Sequence, residues 1–108
     1  MTTFDDREKA FEAKYRLDQD MDFKTLMRRD KLVGLWAAEL MGLTGDAANA
    51  YALTVIEAAI DTPDQDIADK VANDLAARNV AVSAADVRTQ AALLLDTARA
   101  QLNEELSR

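Results

Sequence analysis

Two short stretches of this 108-residue sequence hold side chains whose types and spacing could do chemistry. Asp18, Asp20 and Asp22 stand at alternate positions, as do the leading carboxylates of a calcium-binding loop. The rest of that loop is missing, because Phe23 stands where the sharp turn needs glycine and Arg29 where a bidentate glutamate would close the site. A helix would also point the three carboxylates apart. The stretch therefore reads as a solvated acidic segment. The run Arg28-Arg29-Asp30-Lys31 could hold an anion such as a nucleotide phosphate, since guanidinium groups grip phosphate oxygens in pairs. No P-loop or glycine-rich cradle accompanies it, and the run reads as the charged outer face of a helix.

Other chemistry is closed off by composition. There are no cysteines and no histidines, which removes disulfides, thiolate ligands and the commonest general base and metal ligand. Carboxylate pairs could be drawn anywhere among 20 acidic residues, so their presence points to no acid–base site. No catalytic residue, metal ligand or cofactor is assigned. Trp36, spaced with Val33 and Leu40, and Tyr51 read as core anchors.

The elements that must position these residues are helical. Alanine and leucine are abundant, while three glycines and one proline are too few for a turn-rich sheet protein. Leu26, Met27, Val33, Trp36, Ala37, Leu40 and Met41 recur at helical spacing over residues 22–41, with Gly42 suited to a left-handed cap. Thr44 or Gly45 opens a second helix with Ala48, Tyr51, Ala52, Val55, Ile56 and Ala59 on one stripe. Thr62-Pro63-Asp64-Gln65 has the form of a helix start for a third, burying Ile67, Val71 and Leu75 and ending at Asn79. Ser83 and Asp86 start a fourth, with Val87, Ala91, Leu94, Leu95, Ala98 and Leu102 inward. The expected fold is all-α: a four-helix bundle-like body over residues 21–108 and a flexible N-terminal arm over residues 1–20.

The arm differs from the body in its composition. Phe4, Phe11 and Tyr15 lie along one side of a helix, but Leu17 is the only aliphatic residue larger than alanine between Thr2 and Gln19. Opposite charges at i,i+4, such as Asp5 with Lys9 and Glu12 with Arg16, favour helix by only about 0.2–0.5 kcal/mol each. Such a stripe buries little alone, and the arm is expected to be mobile when free and helical against a partner. Residues 1–31 hold eight acids and eight bases, whereas residues 32–108 hold twelve and five, so the net charge of −7 belongs to the body. That balance points away from nucleic acid and toward protein as the partner. With no signal-like opening and no apolar run near the roughly 20 residues of a membrane span, the chain is expected to be cytoplasmic and soluble.

Two segments resemble a known family. The opening Met1-Thr-Thr-Phe-Asp-Asp-Arg-Glu-Lys-Ala-Phe-Glu and the central Arg28-Arg29-Asp30-Lys31-Leu32-Val33-Gly34-Leu35-Trp36-Ala37-Ala38-Glu39 are similar to stretches of the zeta subunit, the ATPase inhibitor of alphaproteobacterial F-type ATP synthase. Gly42-x-x-Gly45-Asp46 and Tyr51-Ala52 fit the same pattern. The resemblance implies a non-catalytic inhibitor whose arm enters between the α and β subunits of the catalytic head near the γ shaft and stalls hydrolysis. It places the contacts in Thr2 to Arg16, with Phe4, Arg7, Phe11, Lys14 and Tyr15 foremost. Ala13 and Tyr15 depart from the pattern, although Tyr15 keeps the ring. The resemblance also implies weak ATP or ADP binding by the body, with no residue assigned, and a monomer when free. The competing reading is a small helical sensor of adenine nucleotides.

Overall fold

The structure, a computed structural model, describes the backbone of residues 3–107 and the side chains of residues 20–107. Over that span the chain is all-helical, with α1 (Thr3–Leu40), α2 (Gly45–Asp61), α3 (Ile67–Ala77) and α4 (Ala84–Leu106).

Local chemistry sets most of the boundaries. At the end of α1, Gly42 adopts φ 78°, which lets the Leu43 N–H reach back to the Ala38 carbonyl at 2.8 Å and the Gly42 N–H to that of Glu39 at 3.0 Å. These bonds satisfy carbonyls that the last helical turn leaves without partners. Asn79 does the same for α3 at φ 64°, with Val80 N–H donating to Leu75 at 2.9 Å and Asn79 N–H to Ala76 at 3.0 Å. α4 opens on a reciprocal cap. The Asp86 N–H donates to Ser83 Oγ at 3.0 Å, and the Ser83 N–H donates to Asp86 Oδ2 at 3.3 Å.

Two boundaries differ from those the sequence suggests. Thr62 ends α2 and does not begin α3: both its N–H and its hydroxyl donate to the Ala58 carbonyl, at 2.9 and 2.7 Å. The cap of α3 is Asp66, whose Oδ1 accepts the Ala68 N–H at 2.9 Å directly before the apolar stripe begins at Ile67. A carboxylate there also meets the positive end of the helix. The second difference is α1, which starts at Thr3 and not near residue 22. No glycine or proline interrupts residues 1–33, so nothing in the backbone chemistry forces a break.

The core gathers Val33 and Ala37 of α1, Val55 of α2, Ala68, Val71 and Leu75 of α3 and Val87 of α4, with Trp36, Tyr51 and Leu94 packed half-buried against it. Leu26 and Leu40, which share the spacing of the buried residues, are exposed instead. α1 is the central helix, touched by all three others, and α3 bridges α2 and α4 on one side. Among the described residues α2 and α4 do not meet, so α1 remains open between them on the other side. The crossing of α1 and α2 is very close. A Cβ at Gly34 would lie 2.6 Å from Ala52 Cα and 3.3 Å from Val55 Cγ2, so only glycine permits this approach.

Candidate functional site

Phe4, Arg7, Phe11, Lys14 and Tyr15, the residues expected to meet a partner, lie outside the residues whose side chains are described. Their backbone belongs to α1, the helix that also supplies Val33 and Ala37 to the core. Asp20 and Asp22 are exposed on the same helix, and among the described residues no group of three acids is arranged to hold a metal ion.

The charged run 28–31 is not uniformly an outer face. Arg28 turns toward α4, where its Nη1 donates to Gln101 at 2.9 Å and its Nη2 to both oxygens of Glu105 at 2.8 and 3.0 Å. Asp30 is only 2% exposed. Arg29 donates to Asp30 Oδ1 through Nε and Nη2, at 3.1 and 2.8 Å. Burial pushes the Asp30 carboxyl above its ordinary pKa, while the Arg29 guanidinium opposes that shift. Lys31 alone of the four is exposed. The sequence carried a signal for Asp30: it stands three residues before Val33 and seven before Ala37, on the buried stripe.

A second set of charges ties the start of α3 to α4. Arg88 Nε donates to Asp66 Oδ2 at 2.7 Å, and its Nη2 reaches Asp69 Oδ1 at 3.4 Å. The Arg88 hydrogen bond, with that from the Ala68 N–H, holds the Asp66 carboxyl below its ordinary pKa. On the far side Tyr51 donates to Asp74 Oδ2 at 2.9 Å, Lys70 donates to the same oxygen at 2.8 Å, and the ammonium sits 5.6 Å from the Tyr51 ring centroid. Burial and then Asp74 raise the Tyr51 hydroxyl above its ordinary value.

These groups join helices to one another. The hydroxyls of Thr25, Thr54, Thr62, Thr89 and Ser107 donate to carbonyls of the preceding turn, where they serve the helix backbone. Pairing and capping thus account for the arginines, the lysine and the hydroxyls just described. The result is a helical body with one helix, α1, extending far beyond its core. The model of the family described as ATPase inhibitor subunit zeta matches residues 1–101. The chain belongs to that family, and with membership goes the role of an ATPase inhibitor. A chain solved by solution NMR, described only as "Solution NMR structure of the protein", is 42% identical with a TM-score of 0.67; the match covers 79% of this chain and 98% of that one. No curated protein matches the chain. No helix among the described residues is long and apolar enough to cross a membrane.

Proposed function

We propose that the chain blocks ATP hydrolysis by an F-type ATP synthase, residues 1–20 entering the catalytic head between its α and β subunits near the γ shaft while residues 21–108 stay outside as a folded body. The observation that carries this reading is the division of apolar side chains. Among the described residues all four helices contribute to one core, while Phe4, Phe11 and Tyr15 share one side of a helix with no aliphatic residue larger than alanine among them. So thin an apolar stripe buries little on its own, which favours a partner as its cover.

The energetics suit a wedge. Ordering the arm costs conformational entropy, and each aromatic ring offers roughly 150–250 Å² for burial at about 25 cal/mol per Å² to offset it. Arg7 and Lys14 between the rings set register and approach more than affinity. The block is mechanical and acts on the cytoplasmic side; it uses no group of this chain as acid, base or nucleophile.

Removing residues 2–16 tests the reading. The truncated chain is expected to keep a thermal midpoint within a few degrees of the intact one and to lose inhibition of a purified synthase. Replacing Phe4, Phe11 and Tyr15 together by alanine should do the same while leaving helix propensity and charge in place. Unfolding of the truncated body, or full inhibition by it, would overturn the proposal.

A further inference from the structure

On the side of α1 opposite α3 lies an open groove of about 510 Å³. Phe23, Met27 and Lys31, four residues apart in turn, form its floor along α1; Ile56 of α2 stands on one side, and Leu102 and Leu106 of α4 on the other. Its apolar parts are not sealed. Phe23 is 57% exposed and Leu106 66%, and Leu53 beyond Ile56 is 53% exposed. Large apolar side chains left in water along a trough between two helices are a surface made to be covered. Met21 and Met27 add the unbranched, adaptable lining that such surfaces favour.

The charge of the groove says what covers it. The chain as a whole carries −7. In the groove, however, Lys24, Arg28 and Lys31 stand against one lining carboxylate, Glu105, which Arg28 already grips at 2.8 Å. The local sign is the reverse of the molecule's. A symmetric pairing of two copies through this face would set Lys24 and Lys31 against themselves. The arm of the same chain is a poor occupant as well, since α1 runs unbroken from Thr3 and would have to bend sharply to lay its start over Phe23.

We infer that this groove is a second docking site, on the body, for an acidic amphipathic helix of a protein partner. The shape follows from the packing: α2, α3 and α4 take three positions around α1 and leave one helix-sized position empty. An incoming helix would set apolar residues at i, i+3, i+4 and i+7 between Phe23, Met27, Ile56 and Leu102. Its acidic flank would meet Lys24 and Lys31. Docking here holds the body beside its target while the arm acts elsewhere, and two linked contacts raise the effective concentration of the arm.

The test uses the intact chain with methyl-labelled methionine, titrated with a synthetic amphipathic helix of about five turns bearing leucine on one face and glutamate on the other. Met21 and Met27 line the groove and Met41 lies at the opposite end of the body, so the first two signals should shift and the third should not. A peptide with lysine for glutamate should bind at least about tenfold more weakly, and Lys24→Glu with Lys31→Glu should reverse the preference. Equal binding of both peptides, or no shift with either, overturns the inference. So do the same shifts produced by vesicles of anionic lipid, by raising the concentration of the chain alone, or by removing residues 2–16. The titration contains no ATP synthase, so its failure leaves the proposed action of the arm standing. In a hydrolysis assay the charge-reversed chain should need more protein for half-maximal inhibition and still inhibit fully at saturation.

Discussion

The middle of α1 and the stretches that flank it invert the usual relation between size and burial. In the middle the residues are small: Val33, Ala37 and Ala38 are fully buried, and Gly34 lies against the Ala52 backbone. To either side of that stretch along the helix they are large, and Phe23, Leu26 and Leu40 remain more than two-fifths exposed, although Leu26 and Leu40 keep the spacing of the buried stripe. α3 behaves ordinarily, burying Val71 and Leu75 completely. The difference teaches that burial along α1 is governed by how near a neighbouring backbone comes. Small side chains allow a close crossing that excludes water, whereas the large ones beyond that crossing stay partly uncovered.

The comparison can be broken most severely in the packed core. Leu75→Ala removes the largest fully buried side chain among the described residues and should cost about 2–5 kcal/mol in urea unfolding, depending on how far the site collapses. Gly34→Ala should cost about 1–3 kcal/mol by overpacking the crossing with α2, despite the better helix propensity of alanine. A gain in stability there would mean that α1 and α2 can separate cheaply. Tyr51→Phe should cost about 1 kcal/mol through the lost bond to Asp74.

The same tyrosine gives the comparison a pH dependence. Its hydroxyl keeps a proton in the fold at pH values where the unfolded chain, with an ordinary value of 10.0, loses it. The contribution is therefore complete below pH 10 and is lost as pH rises beyond it toward the raised folded-state value. Thermal melts should show the decline in the parent chain and a smaller one in Tyr51→Phe. The smallest stability change belongs to the uncovered stretch that flanks the packed core. Phe23→Ala should alter stability by no more than about 0.5 kcal/mol while weakening capture of the acidic helix, a split that a core residue would not produce.

Residues that do one local job were readable from the sequence. Gly42, Asn79 and the Ser83/Asp86 pair each satisfy backbone groups within a turn of themselves, so residue type and spacing were enough to place them. Thr62 misled because threonine can serve either end of a helix; the choice went to Asp66, a stronger cap beside the first apolar residue of α3. Asp30 was hidden by its charged neighbours although its register pointed inward. The open groove could not be read at all, because the exposure of Phe23 depends on α2 and α4 failing to meet, and no local pattern records the absence of a tertiary contact. The arm contacts at Phe4, Arg7, Phe11, Lys14 and Tyr15 rest on sequence and family alone.

Arg28 has one more consequence, in the order of events during folding. Its bonds to Gln101 and Glu105 connect positions 73 and 77 residues apart in the chain. Closing so long a loop is entropically slower than the neighbouring contacts between α1 and α2 or between α3 and α4, whose partners lie close in sequence. The two helical hairpins can thus assemble early, with the far end of α4 zipping onto α1 late. That end carries Leu102 and Leu106, one wall of the groove. The wall that completes the trough is therefore expected to arrive last, and its amide protons to be among the first to exchange with solvent.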